Sequence, residues 1–98
     1  MSTIRVGKWD VPADLFNDYI RFSIMANTYL DPEAEIPTHS DYERALRWKL
    51  CVQEVMRVHR AICAAIGVPY SENTDDEFYM AFHREVNKQT KLKGGTAY

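Results

Sequence analysis

One long helical stripe constrains this sequence more than any other feature. Seven residues recur at alternating spacings of three and four, which places them on a single face of an α-helix. The stripe consists of Ala45, Trp48, Val52, Val55, His59, Ile62 and Ile66. Ser40 and Glu43 form a capping box before it, and Gly67 supplies a left-handed cap after it. The pattern predicts a helix over residues 40–66 with one buried face.

The chain before this helix is predicted to form an extended arm and a first helix. Ile4 and Val6 alternate weakly with polar residues, but no second strand signal lies nearby to pair with them. Residues 1–10 are therefore interpreted as an arm. Pro12 suits the first turn of a helix, where its missing N–H is no loss, so a helix with a wide apolar arc is predicted over residues 11–30.

The chain after the long helix is predicted to form a third helix and a loose end. Thr74 and Glu77 form a capping box, which predicts a helix over residues 74–91. The remaining segments are loops over residues 31–39 and 67–73 and a flexible tail over residues 92–98. The sequence thus predicts one domain over residues 1–98 that is all-α: a small three-helix bundle with an extended N-terminal arm and a flexible C-terminal tail.

Composition narrows the class of protein. The 98 residues are 46% hydrophobic and 27% charged, with a net charge of −2 and a pI near 5.9. Dedicated nucleic-acid-binding domains usually have a pI above about 9, so this balance argues against nucleic acid as a direct ligand. No run resembles a membrane span or a signal peptide, and Cys51 and Cys63 lie in the apolar helical pattern as free thiols do. We expect a cytoplasmic protein with no membrane contact.

No arrangement of residues points to an enzyme. His59 and Cys63 lie four apart on one helical face, but zinc sites use three or four protein ligands and no second such pair is present. The acids at 75–77 and His83 resemble a loose metal cluster. However, consecutive helical residues fan out by about 100° each, and negative charge at a helix start is explained more simply by the helix dipole. We therefore predict no catalytic residue, no metal site and no cofactor.

Apolar and aromatic residues outside the stripe indicate a protein-binding surface. Leu46 and Leu50 lie one turn apart opposite the stripe, although a first helix packed across that side would bury them instead. The loop after the long helix carries an apolar, aromatic tip, and Trp9 ends the arm. The alternative for the loop tip is that it ends the helix and packs on the core. The alternative for Trp9 is that it caps the core. The candidate partner-binding residues are Trp9, Tyr42, Leu46, Leu50, Pro69 and Tyr70.

In outline the chain resembles the small helical accessory proteins of lambdoid phages, of the type that modifies the host RecBCD recombination nuclease. The resemblance lies in the length of 98 residues, the mostly helical chain, the near-neutral charge, the absence of a catalytic motif and the loop GVPY at 67–70. It implies a non-enzymatic modulator in the cytoplasm of a bacterial host, binding RecBCD through RecC and altering nuclease action and Chi response. It also implies capture of a host prolyl isomerase, with Pro69 as the candidate.

Two other functions remain open. Residues 38–66 carry five bases against three acids and residues 84–98 four against one, so a direct nucleic-acid binder is one alternative. Its contacts would be Arg57, Arg60, Arg84, Lys88 and Lys91. The acidic start of the third helix opposes docking as a helix-turn-helix reader. A self-assembling phage structural subunit, pairing through the outer side of the long helix, is the other alternative.

Overall fold

A computed structural model describes residues 2–31 and 40–92. The elements are β1 (Thr3–Val6), β2 (Trp9–Pro12), α1 (Ala13–Leu30), α2 (Asp41–Ile66) and α3 (Glu77–Leu92). The three predicted helices are confirmed, but the all-α class is corrected, because an antiparallel two-stranded sheet precedes α1. Residues 32–39 of the predicted loop and 93–98 of the predicted tail lie outside the described residues. None of the described helices is long and apolar enough to span a membrane.

Residues 3–12 form a β-hairpin, so the predicted arm over residues 1–10 is wrong. Val6 pairs with Trp9 across a two-residue turn in which Gly7 has a φ of 57°. Tight hairpin turns need a positive φ at that first position, which glycine adopts at no steric cost. The second strand was not predicted because Val11 was assigned to the first helix, whereas it is fully buried in β2.

Helix α1 starts two residues later than predicted. Pro12 ends β2 and occupies the N-cap position of α1, where it makes no side-chain capping hydrogen bond. The amide of Ala13 instead donates to the carbonyl of Ser2 at 3.0 Å. Because β1 and β2 are antiparallel, the start of the hairpin lies next to the start of the helix and takes over part of its capping.

Helix α2 forms as the sequence predicts. The hydroxyl of Ser40 accepts a hydrogen bond from the amide of Glu43 at 3.1 Å, and Gly67 ends the helix with a φ of 75°. The predicted stripe is buried only in its C-terminal part. His59 and Ile62 are buried, whereas Ala45 at the other end is exposed. The third helix of the bundle therefore covers only part of α2.

Helix α3 starts at Glu77, and the predicted capping box of Thr74 is wrong. Asp76 caps the helix instead, because its carboxylate accepts a hydrogen bond from the amide of Tyr79 at 2.9 Å. The side chain of Asn73 accepts from the amide of Asp75 at 2.9 Å, which folds residues 73–75 into a turn before the helix. The more local turn thus displaces the helix start towards the C-terminus.

The helices pack around one aromatic core. α1 and α2 are antiparallel: the Tyr19 ring lies 6.2 Å from His59, and Arg44 Nε donates to the Tyr29 carbonyl at 2.9 Å. Phe82 of α3 packs on Tyr19, with ring centroids 4.7 Å apart. The core cluster consists of Val6, Val11, Phe16, Tyr19, Ile20, Val55, Val58, Ile62, Cys63, Phe78, Phe82 and Val86.

These core positions divide the α1–α2 pair into two halves. The packed half contains residues 13–21 and 53–66, which supply all the members that α1 and α2 contribute to the core cluster. The open half contains residues 22–30 and 41–52, on either side of the connection between the two helices. The hairpin and α3 supply the remaining members of the cluster, so they complete the packed half.

Candidate functional site

The open half carries most of the exposed apolar surface of the described residues. Of six exposed large apolar side chains, only Met80 lies outside it; the others are Met25, Leu30, Tyr42, Leu46 and Leu50. We call Tyr42, Leu46 and Leu50 the outer stripe. Their residue exposures are 79%, 45% and 52%, and their spacing of four places them on one side of α2, opposite its buried residues. The alternative that α1 buries Leu46 and Leu50 is therefore not what the structure shows.

Charged side chains flank the outer stripe. Arg47 forms an ion pair with Glu43 one turn away, at 3.1 Å. Hydrogen bonds to Tyr29 and Glu43 raise the pKa of Arg47 above its ordinary value. An apolar centre with a polar, charged rim is the usual composition of a protein interface.

Trp9 lies in the core packing rather than on a free surface. Its ring is half-buried and meets Phe78 edge to face, with the centroids 5.2 Å apart. The ammonium of Lys8 lies 5.1 Å from the centroid of the same ring. The structure therefore favours a cap of the core over a partner anchor, and it places Trp9 in the hairpin, apart from the outer stripe on α2.

The predicted loop tip is partly packed and partly accessible. Val68 and Tyr70 pack against the core, whereas Pro69 between them is exposed, and the Val68–Pro69 peptide bond is trans. The Tyr70 hydroxyl donates to the Glu72 carboxylate at 2.5 Å, and the guanidinium of Arg60 lies 5.0 Å from the centroid of the Tyr70 ring. Pro69 is thus the accessible residue of this tip.

The basic residues of the nucleic-acid alternative fall on two helices. On α2, Arg57 forms an ion pair with Glu54 at 2.7 Å, and this hydrogen bond lowers the pKa of the Glu54 carboxyl. Arg60 is engaged with Tyr70. Three are exposed on one face of α3: Arg84, Lys88 and Lys91. Two of the five predicted phosphate contacts therefore already have partners within the chain.

A cleft of about 500 Å³, lined mainly by the packed half and α3, brings together residues that the sequence analysis did not connect. His59 of α2 and His83 of α3 both line it, with ring centroids 6.4 Å apart. Tyr79 lies 4.2 Å from His83, and Tyr19 of α1 lies 6.4 Å from the same ring. The only sequence signal was that His59 lies in the buried stripe and that His83 follows the core residue Phe82 directly.

The ionisable side chains that line this cleft are uncharged at neutral pH, with the exception of a carboxylate at one rim. Burial lowers the pKa of both His59 and His83, which makes both imidazoles neutral at pH 7. His59 is 4% exposed, and its Nε2 has no hydrogen-bond partner among the described residues. The carboxylate of Glu72 is the charged group that lines the cleft. Burial also raises the pKa of the Cys63 thiol, one turn from His59, which favours the neutral thiol over the thiolate.

Comparison with known proteins assigns no family, because no family model, curated protein or solved structure matches the chain. The resemblance to phage proteins that modify RecBCD therefore stays a prediction. Within residues 2–31 and 40–92, no three His, Cys, Asp or Glu side chains are grouped so that they could hold a metal ion. The outer stripe and the cleft are the two surfaces whose residues indicate a function.

Proposed function

We propose that this chain is a non-enzymatic protein-interaction module that inserts the outer stripe of α2 into an apolar groove of a larger partner. The observation that carries the proposal is the exposure of Leu46 and Leu50, 45% and 52%, on a well-capped helix. Full burial of a leucine side chain contributes about 1.5–3 kcal/mol, and the described fold leaves much of that contribution unused at both positions. A partner groove would recover it.

The spacing of the outer stripe suits binding of a helix in a groove. Tyr42, Leu46 and Leu50 project from one side of α2 at intervals of four residues, as the anchors of groove-binding helices do. The tyrosine adds a large aromatic contact with a polar tip, which is a common type of interface hot spot. The ion pair of Glu43 and Arg47 beside the stripe would fix orientation more than affinity.

The partner that we propose is a host DNA-processing machine, with RecBCD, bound through RecC, as the specific candidate. This choice rests on the outline resemblance alone. The exposure of Pro69 supports a second contact, with a prolyl isomerase, because such an enzyme needs an accessible proline. In this mechanism the module acts by steric or allosteric interference rather than by cleaving DNA itself.

The test compares two exposed apolar sites of similar character. Leu46→Ser/Leu50→Ser removes the outer stripe, and Met80→Ser, which is 49% exposed on α3, is the matched control. Each tagged protein is checked for helicity and thermal stability and then used to capture proteins from a nuclease-treated bacterial lysate. Purified RecBCD is tested in parallel. We expect the wild type and Met80→Ser to retain the same partner in stoichiometric amount, and the double variant to lose it.

Three outcomes contradict the proposal. Retention of the partner by the folded double variant would show that the outer stripe is not the docking site. Capture of no protein by the wild type, with the chain forming dimers by light scattering, would favour self-assembly through the same face. Binding of DNA or RNA that weakens steeply with salt would favour the basic residues as the functional surface instead.

A further inference from the structure

We propose that the cleft between α2 and α3 is a binding site for a small amphipathic ammonium compound, with the charged nitrogen at His59 and Glu72 and the apolar body against α2. The site is separate from the outer stripe, which lies on the side of α2 opposite the buried residues. Its volume of about 500 Å³ lies within the range of small-molecule sites, about 300–1,000 Å³.

The two ends of the cleft differ in polarity. Val52, Val55 and Met56 line one end with aliphatic carbon and a thioether. Because Val52 and Met56 lie one turn apart on α2, they form a continuous apolar wall beside the helix. Glu72, in the loop after α2, lines the cleft at the end of α2 away from Val52. A ligand that satisfies both ends has an apolar body and a polar head.

The buried nitrogen of His59 indicates what the head must carry. Buried polar side-chain atoms in native proteins nearly always have a hydrogen-bond partner, yet Nε2 of His59 has none within residues 2–31 and 40–92. One ring nitrogen of a neutral imidazole is an acceptor, so a ligand N–H can bond to Nε2 when the proton is on Nδ1. His59 is one of the residues that line the cleft, but its Nε2 exposes less than 1 Å², so the imidazole must turn towards the cleft for a ligand N–H to bond to this atom.

The charge of the cleft selects a cation. Glu72 is an exposed carboxylate, and the hydroxyl of Tyr70 holds it in place by a hydrogen bond of 2.5 Å. No lysine or arginine in the described part of the chain lines the cleft, and the guanidinium of Arg60 lies over the Tyr70 ring instead. The rings of Tyr19 and Tyr79 also line the cleft, and tyrosine faces attract ammonium groups. The acceptor nitrogen of His59, the charge of Glu72 and the tyrosine rings therefore favour a primary or secondary ammonium.

The experiment titrates the full-length protein with three probes that share a phenyl body. Phenethylammonium is the cation, 2-phenylethanol is the neutral analogue and 3-phenylpropionate is the anion. Binding is followed by the imidazole resonances of His59 and His83 in NMR spectra and by calorimetry. We expect phenethylammonium to shift both resonances and to bind at least about tenfold more tightly than the alcohol, because a charge-assisted hydrogen bond is worth more than a neutral one. The anion should not bind.

Matched variants locate the site. Glu72→Gln keeps the size and the hydrogen bonding of the rim but removes its charge, and we expect it to weaken phenethylammonium binding about tenfold. Glu54→Gln removes an exposed charge paired with Arg57 and should leave affinity unchanged. Met56→Trp should block the apolar end, whereas Met80→Trp on α3, outside this cleft, should not. Circular dichroism confirms that each variant is folded.

The proposal is overturned if no probe shifts the two imidazole resonances at millimolar concentration. It is also overturned if the alcohol or the anion binds as well as the cation, because the charge argument then fails. An equal loss of affinity in Glu72→Gln and Glu54→Gln would show a general charge effect rather than a site. None of these results depends on capture of a protein partner by the outer stripe, so the two proposals fail independently.

Discussion

The packed half and the open half belong to the same two helices, but their apolar side chains differ in how far they are buried. In the packed half, Phe16, Val58 and Ile62 are fully buried against α3 and the hairpin. In the open half, Leu46 and Leu50 are about half exposed although they belong to the same helix as Val58 and Ile62. The comparison teaches that α2 is longer than the core requires, and the excess length presents side chains to the outside.

The open half is held together by buried side chains, such as Ala26, and by polar contacts at the helix ends. The guanidinium of Arg44 donates to the carbonyls of Tyr29 and Asp31 at the C-terminal end of α1, where backbone carbonyls lack intrahelical partners. Ser40 caps α2 beside it. These bonds fix the position of the two helix ends, and they leave the outer side chains of α2 uncovered. The open half can therefore keep its geometry while its outer side chains stay available.

The largest expected effect is loss of the central ring of the packed half. Phe82 is fully buried and contacts Phe16, Tyr19 and Phe78. We expect Phe82→Ala to lower the free energy of unfolding by about 3–5 kcal/mol, a large share of the stability of a small domain. Urea denaturation followed by circular dichroism measures it. A loss below about 1 kcal/mol would mean that the packed half is not the main source of stability.

A smaller effect tests how the hairpin closes the packed half. A Cβ added at Gly7 would meet Cβ of Ala81 at 3.2 Å, and the φ of 57° is unfavourable for any L side chain. We expect Gly7→Ala to cost about 1–2 kcal/mol from the backbone, with a further loss from the contact with α3. Gly67→Ala is the control, because its φ is also positive but nothing lies within 4 Å. Equal losses of thermal stability would contradict close packing of the turn on α3.

The buried histidines predict a pH dependence that belongs to the packed half. Burial lowers the pKa of His59 and His83 below 6.5; His83 and Arg60 add to this for His59, while Glu72 and Asp76 oppose it. Because the unfolded chain binds protons more readily, stability is complete above pH 6.5 and falls as the pH drops towards the lowered pKa values.

This dependence is measured as the midpoint of urea unfolding at pH 7.5 and 5.5. We expect a lower midpoint at pH 5.5, and a smaller difference between the two values in His83→Gln, which removes one of the two groups. A midpoint that is unchanged or higher at pH 5.5 would contradict the burial of the two imidazoles.

The smallest expected effect is in the open half. Leu46→Ala and Leu50→Ala should each change the free energy of unfolding by no more than about 0.5 kcal/mol, because exposed substitutions away from the core rarely do more. Comparison of the two variants with Phe82→Ala in one denaturation series gives the contrast directly. A loss of about 2 kcal/mol or more, which is the size expected when a buried leucine is truncated to alanine, would place the outer stripe in the core.

The elements predicted well are those whose ends are set by local bonds. Ser40 and Gly67 set the two ends of α2 through hydrogen bonds to residues only a few positions away, so both ends could be predicted from the sequence. The predicted start of α3 was wrong because Asn73, Thr74 and Asp76 all offer side-chain oxygens within four residues. Which of them caps the helix depends on the preceding turn. Local propensity cannot rank competing caps that are so close together.

The hairpin and the cleft could not be predicted because non-local packing creates both. Val6 and Val11 stabilise a very short sheet by entering the core, and nothing near them in the chain reveals that core. His59 and His83 lie on different helices and meet only because both flank Phe82. The exposure of the outer stripe had the same origin: the sequence placed it opposite the buried stripe, but only the packing of α1 decided whether it was covered.

Site-resolved amide hydrogen exchange along α2 tests the division of the molecule most directly. A single helix spans both halves, so the comparison needs no variant and no partner. We predict that amides of residues 55–63 exchange only through global unfolding, whereas amides of residues 44–50 exchange through local opening at a clearly lower free energy. One uniform free energy of exchange over residues 44–63 would contradict the account, because the open half would then share the stability of the core.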